Sequence, residues 1–459
     1  MHPTEIIRQT SHRIGNSATF KLAAIGVLIL VLLVPAAMVK SLIHEREDRK
    51  EGVINEIGAK WGREQTITGP VISIPFLEHV KDGQGRIITI TRHLHILPDT
   101  VDIDSRITPE VRYRGIYQAV LYNAAVSFDG TFSWDPAENM RIAPENMLWS
   151  DAFISLGIAD TRGVKEWSKA VFDGKALAMG PGVPTADVVA SGISAAIQIN
   201  ESIKRHKFHL ELDLNGSRQL NFTPVGKVTT VTASSQWQDP SFSGAFLPVE
   251  RKVTEQGFTA KWKILHLNRN YPQYWKSGIH DMSSSTFGVN LFSPVDIYQK
   301  SMRTAKYALM FIVFTFVSFF ISEVVCGLQV HPVQYLLIGL AMIVFYVLLL
   351  SISEQFCFGA AYLVSAVATI GLITGYASAI LNNKVATRMV GSILAILYAY
   401  LYILLQLEDF ALLMGGIGLF AVLSAVMYLT RKIDWYAIHP GVVKTDSMQA
   451  QAAGSDIAP

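Results

Sequence analysis

"KLAAIGVLILVLLVPAAMVKSLIHEREDRKEG" (Lys21–Gly52) decides the fold, because it is either a secretory signal that is removed or an anchor that stays. From Leu22 to Val39 it carries no charge. Those 18 residues span roughly 27 Å as a helix, close to the hydrocarbon thickness of a bilayer. A signal core is shorter, about 7–15 residues, and ends at a small-x-small cleavage site. The nearest match here is Val34-Pro35-Ala36, with further apolar residues behind it. The stretch therefore reads as a retained transmembrane helix over 20–43.

The rest of the chain returns to the same membrane. Only 17% of the residues are charged, against about 25% in soluble domains, and the deficit is concentrated in the C-terminal third. Five segments there have the length and apolarity of membrane helices: 307–325, 332–351, 356–381, 389–406 and 409–430. Basic residues flank them asymmetrically. Arg8, Arg13 and Lys21 precede the first helix, Lys384 and Arg388 lie between the fourth and fifth, and Arg431 and Lys432 follow the sixth. The positive-inside rule puts all three groups, and both termini, in the cytoplasm. Arg46, Arg49 and Lys50 fall on the opposite side, but they are mixed with acids and precede a domain of a size that translocates regardless of such charges. The expected organisation is a cytoplasmic N-terminus (1–19), a first helix (20–43), a periplasmic stalk and β-rich domain (44–302), a five-helix bundle (303–431) and a cytoplasmic tail (432–459).

Between the first two membrane helices the periodicity changes. "IHEREDRKEGVINEIGAKWG" keeps an apolar stripe at Ile43, Val53, Ile54, Ile57 and Trp61, which predicts a helical stalk weakened at Gly52. "VISIPF" and "RIITITRHLHILP" alternate with a period of two around the loop "KDGQG". "AAVSFDGTFSW" and "FHLELDLNGSRQLNF" place Asp-Gly and Asn-Gly between alternating runs, a hairpin signal. "KVTTVTASSQW" and "GFTAKWKILHL" add two strands, and 184–205 reads as a loop with a short helix. The fold class is thus a membrane protein of α+β type with a large, mostly antiparallel, sandwich-like β domain. No cysteine lies in that domain, so its core holds it together without disulfides; Cys326 and Cys357 sit at the edges of apolar segments.

Recognisable catalytic motifs are absent. Gly180-Pro181-Gly182 is a turn rather than a phosphate cradle, since proline removes a donor. No Gly-x-Ser-x-Gly, His-Glu-x-x-His or Cys-x-x-Cys occurs. His93 and His95 share a strand face and, with His206 and His209, would begin a zinc or copper site; the plainer reading puts them on the wetter face of a strand. Glu78, Asp82, Asp102 and Asp104 are the acids that a carboxylate pair would draw on, although loop acids are usually only solvated. No cofactor is expected, and a net charge of +2 without a basic block gives no nucleic-acid signal. The aromatic-rich positions Trp61, Trp237, Trp262, Arg269, Tyr271 and Trp275 form the candidate partner or ligand region. Tyr274 belongs to the same run, for which core packing or an interfacial belt is the competing reading. In the membrane segments Glu323 is the candidate polar site, near the cytoplasmic end of its helix. Gly371-x-x-x-Gly375 and Gly415, Gly416 and Gly418 suit close helix packing.

Three strings carry a family resemblance: "KWGREQTITGPVISIP" (Lys60–Pro75), "TPVGKVTTVTASSQWQDPSFSGAFLP" (Thr223–Pro248, with threonine where leucine is expected first) and "GFTAKWKILHLNRNYPQ" (Gly257–Gln273). In these and in the order of its elements the whole chain resembles the CreD family of bacterial inner-membrane proteins. The resemblance implies a Gram-negative inner-membrane protein linked to cell-envelope integrity, under a two-component system that responds to carbon source and envelope stress. It supplies no catalytic residues. The expected function is non-enzymatic: a periplasmic β domain that binds an envelope protein or lipid partner above the bilayer. The alternative is a carrier of lipid or another amphiphile, with the β domain shielding cargo.

Overall fold

Alternating burial along residues 65–291 resolves into two sheets that share one apolar core. The structure is a computed structural model that describes residues 18–133, 142–199, 203–291, 297–326, 330–407 and 410–431. The expected N-terminus and tail lie outside these residues, apart from positions 18 and 19. The chain divides into two compact units, with the first boundary after Glu47.

The β unit begins with β1 (Gln65–Lys81), β2 (Ile87–Ile96), β3 (Thr100–Arg114), β4 (Tyr117–Ser133), β5 (Phe153–Ile158) and β6 (Val164–Phe172). It continues through the short β7 (Lys175–Ala176) and β8 (Gly180–Pro181) to β9 (Gly192–Ala196), β10 (Arg205–Ser217), β11 (Gln219–Thr223) and β12 (Val228–Ser235). β13 (Pro240–Gly244), β14 (Glu250–Thr254), β15 (Gly257–Leu265), β16 (Tyr274–Lys276) and β17 (Phe287–Leu291) complete it. One sheet runs β13-β17-β11-β1-β5-β9-β8, with β2 paired to β1 and β16 to β2. The other runs β14-β15-β12-β3-β4-β10-β6-β7. Two pairings are parallel, β1–β11 and β3–β12, so the domain is mixed rather than purely antiparallel.

Along the first half of β3, from Thr100 to Ile107, and along β10 every second side chain is buried. The buried set of both sheets forms one core, with Trp262, Phe128, Phe132, Phe222 and Phe287 each under 2% exposed. Trp262 of the second sheet lies 5.6 Å from Phe287 of the first, ring to ring. At about 25 cal/mol per Å² of apolar area, a side chain of this size contributes roughly 2–3 kcal/mol when fully buried.

Both Asx-Gly signals mislead. Asp129-Gly130 sits inside β4, where a Cβ on Gly130 would lie 2.1 Å from the Thr100 carbonyl oxygen. Asn215-Gly216 ends β10, and the chain then crosses to the other sheet at Arg218 (φ 63°). Gly216 makes room for the Tyr122 ring, whose Cζ and hydroxyl oxygen lie 2.3 Å from where a Cβ would be. In both places glycine serves close packing rather than a turn. The helix expected within 184–205 is not formed by the described residues of that stretch; β9 runs there instead, paired with β5.

The second unit is helical. α1 (Ala18–Trp61) is one continuous helix of 44 residues, unbroken at Gly52. Beyond Glu47 it packs Ile54, Ile57 and Trp61 on Ala119 and Leu121 of the β unit. α2 (Ile297–Lys306), α3 (Ala308–Cys326), α4 (Pro332–Ser353), α5 (Phe358–Leu381), α6 (Lys384–Gln406) and α7 (Ala411–Thr430) follow. The five expected C-terminal segments thus all fall on helices, but among the described residues fewer than five qualify as spans. Among the described residues α1, α4, α5 and α6 are each long and apolar enough to cross a membrane. α2 and α3, bent by 44°, add a further span only when counted together. The bend falls at Tyr307, where basic Lys300, Arg303 and Lys306 give way to the apolar run.

Candidate functional site

The strand register sets Ser73 of β1 directly opposite His95 of β2. Ser73 Oγ and His95 Nδ1 are 2.8 Å apart, and His95 Nε2 lies 3.1 Å from Asp187 Oδ2 on the loop before β9. A carboxylate only accepts, so Nε2 carries the ring hydrogen and Nδ1 accepts from the serine hydroxyl. Burial holds the His95 pKa below the usual histidine value despite Asp187. Trp275 lies 5.1 Å from the imidazole, ring to ring, and His93 stacks at 6.1 Å. These are the residue types of a nucleophilic triad. Yet Ser73 and His95 are both fully buried, and the two ring nitrogens are used in the reverse sense. No reacting atom reaches the hydroxyl, and the relay ties the loop to the sheet. Sequence spacing gives no sign of it, because Ser73 hides in an apolar run and Asp187 lies over a hundred positions on.

The four histidines of the metal reading do not meet. His93 and His95 belong to one sheet, His206 and His209 to the other. His206 is buried beside Asp173 and stacks on Phe172 at 5.4 Å. His209 faces outward between Asp129 (2.8 Å) and Glu211 (2.9 Å), whose hydrogen bonds raise its pKa. Among the described residues no group of three or more His, Cys, Asp or Glu is placed to hold a metal. The four acids are likewise apart: Glu78 pairs with Arg92, Asp82 closes the β1–β2 turn on Arg86 at 2.9 Å, and Asp102 and Asp104 lie exposed on β3 of the other sheet.

The candidate ligand residues occupy separate places. Trp61 donates its indole N–H to the Tyr122 carbonyl (3.3 Å) and has the Arg112 guanidinium 4.1 Å over its ring. Trp237 lies at the edge of the core and donates to the Asp239 carbonyl. Trp262 is in the core and donates to the Phe246 carbonyl at 3.1 Å. Trp275 is buried and donates to the Gly278 carbonyl, while neighbouring Tyr274 is half-buried. Arg269 and Tyr271 meet, with the guanidinium 4.4 Å over the phenol. Arg269 Nη1 donates to the Tyr271 and Pro272 carbonyls (2.7 and 3.4 Å), and Nη2 to the Val225 carbonyl (3.2 Å) and the Gln273 side chain. It is 8% exposed and has no carboxylate partner among the described residues; burial lowers its pKa. The Tyr271 hydroxyl donates to the Pro224 carbonyl at 2.8 Å, and burial pushes its pKa up to about 12. This cation holds two loops by their backbones.

Glu323 is buried in the helical unit and ion-paired with Lys21. The Tyr335 hydroxyl (3.3 Å) and the Val330 amide (3.2 Å) also donate to it. A second polar cluster stands at the other end of the first span, where Glu354 pairs with Arg46 (3.9 Å) and accepts from Tyr298 (3.0 Å). Lys21 and Arg46 are about 37 Å apart along α1 at 1.5 Å per residue, within the 40–45 Å of a bilayer with its headgroup regions. The two clusters are thus separated along α1 by about the depth of a bilayer. The helical residues between them carry aromatic and hydroxyl contacts, such as the Tyr362 hydroxyl on the Tyr398 carbonyl at 2.7 Å.

Comparison with known proteins gives one consistent result. The family model for the inner membrane protein CreD matches residues 17–436. The chain is similar to inner membrane protein CreD of Escherichia coli (strain K12), with 30% identity over 427 residues that cover 91% of this chain and 94% of that protein.

Proposed function

Because the chain belongs to the CreD family of inner membrane proteins, we propose that it serves cell-envelope integrity without catalysis. In this reading the sheet unit lies on the periplasmic side and recognises an envelope component, while the helices hold it at the inner membrane with both termini in the cytoplasm. One observation carries the proposal: a large two-sheet unit without cysteine follows one membrane helix in the chain and precedes others. The basic groups Lys21, Lys384 with Arg388, and Arg431 with Lys432, which the positive-inside rule puts on one side, support that orientation. The carrier alternative needs an apolar groove, whereas the space between the sheets is filled by large aromatic side chains.

Complementation tests the reading. A strain lacking its CreD homologue is supplied with the full chain or with a chain whose residues 65–291 are replaced by an unrelated periplasmic domain, and detergent sensitivity is measured. Rescue by the full chain alone is expected; equal rescue by the replacement removes the recognition role from the β unit.

A further inference from the structure

The outer face of the second sheet holds a cleft of about 450 Å³ at the end nearest β14. The register explains its lining. Arg106 of β3 is opposite Ser234 of β12, Ser234 is opposite Thr259 of β15, and Thr259 is opposite Lys252 of β14. These four side chains form one row across four strands, with a cation at each end. Three strand spacings of about 4.8 Å separate the two cations by roughly 14 Å at the backbone, the length of one or two sugar rings. Gln236, just after β12, and Gln256, between β14 and β15, also line the cleft. Every polar lining side chain is a hydroxyl, an amide or a cation, and none is a carboxylate.

Arg106 and Lys252 have no ion-pair partner among the described residues, unlike Arg86, Arg92, Arg112, Arg162 and Lys227 of the same unit. Arg106 also borders a neighbouring depression that contains Asp104, Glu211 and Asp213. Those acids disfavour a densely charged polyanion on this face and confine an incoming negative charge to the cleft. Hydroxyl and amide groups between two unpaired cations match a ligand that carries many hydroxyls and one anionic group.

We propose that this cleft binds an anionic saccharide, with Lys252 or Arg106, at opposite ends of the row, holding its carboxylate or phosphate and Ser234, Thr259, Gln236 and Gln256 its hydroxyls. The site gives the recognition role proposed above a ligand class, and binding to the purified chain succeeds or fails independently of the complementation assay. The test is saturation-transfer NMR on the full chain in detergent, with glucuronic acid, glucose 6-phosphate, glucose and inorganic phosphate as probes. Transfer to one or both acidic sugars is expected, at least fivefold stronger than to glucose, and inorganic phosphate competes only weakly. Arg106→Gln combined with Lys252→Gln is expected to abolish it. Both side chains are exposed, so the variant keeps its unfolding midpoint, which the same sample reports. Equal transfer to glucose, undiminished binding in the double variant, or inorganic phosphate competing as well as glucose 6-phosphate each overturns the assignment. Preferential binding of an acidic peptide over both sugars does so as well.

Discussion

Replacing Arg269 by methionine is expected to destabilise the β unit by about 3 kcal/mol. The guanidinium donates to the main-chain oxygens of Tyr271, Pro272 and Val225, and to the Gln273 side chain. Methionine fills similar volume but leaves the buried Tyr271 and Val225 carbonyls, and the part-buried Pro272 carbonyl, without this donor. Each orphaned acceptor costs about 1–3 kcal/mol, and loss of the stack on Tyr271 adds about 1. Removing a buried cation whose Nε has no partner among the described residues returns part of that sum. The lower end, about 3 kcal/mol, is the net expectation. For a domain of this size it lowers the unfolding midpoint by roughly 6–12 °C. The assay is thermal unfolding of the full chain in detergent, followed by tryptophan fluorescence. Arg269→Lys keeps the charge but not the planar fork, and is expected to recover less than half of the loss. If Arg269→Met unfolded within 2 °C of the parent while losing partner or ligand binding, the side chain would be a recognition group and the reasoning here would be wrong.

Three further outcomes follow from the geometry. Gly130→Ala places a methyl 2.1 Å from the Thr100 carbonyl oxygen and 2.5 Å from the Phe208 ring, so the variant is expected to lose more than about 3 kcal/mol and to accumulate poorly; a parent-like midpoint contradicts the packing. Lys21→Met leaves Glu323 buried without its cation and is expected to be more harmful than Lys21→Met combined with Glu323→Gln. A midpoint series in detergent reads that difference, and additivity rejects the pair. His209 and His95 titrate with opposite consequences. The His209 pKa is raised by Glu211 and Asp129, so its contribution is complete below about pH 6.5 and is lost as pH rises through the folded value. The His95 pKa is lowered, so below about pH 6.5 the unfolded chain takes up a proton that the folded chain refuses, and stability falls. His209→Asn is expected to remove the alkaline-side loss from the midpoint–pH profile and leave the acid-side loss; an unchanged profile excludes the Asp129–His209–Glu211 contact.

Elements whose pattern depends on local periodicity were readable from the residues. β12 and β15 alternate because one face of each is core, and the two pair along their length. The long first helix is visible in its charge-free run. Close approach between distant segments left no such trace. Asp129-Gly130 and Asn215-Gly216 have turn chemistry, yet their glycines exist because Thr100 and Tyr122 press against them from far along the chain. The helical segments were legible, but whether α2 and α3 act as one span depends on a bend at Tyr307 that hydropathy does not encode. Of the candidate residues, buried Trp262 and Trp275 follow from apolar periodicity. Ser73 and Asp187 were missed because each is ordinary in its own neighbourhood, and only the β1–β2 register and the loop before β9 bring them to His95.

The position of β1 sets the order in which this protein is able to fold. β1 is complete at Lys81, yet its first residues, Gln65–Thr68, pair with β11 (Gln219–Thr223), which in turn needs β17 (Phe287–Leu291). β3 likewise waits for β12, more than a hundred residues later. During synthesis the first hairpin therefore stands with open edges until nearly the whole unit has been made. The last strand ends at Leu291 and the next helix starts at Ile297, so closure of the sheets and entry of the second membrane segment come almost together. A ribosome pause or truncation just before β17 leaves a membrane-tethered chain with unpaired strands, the state most exposed to proteolysis and to pairing with its neighbours.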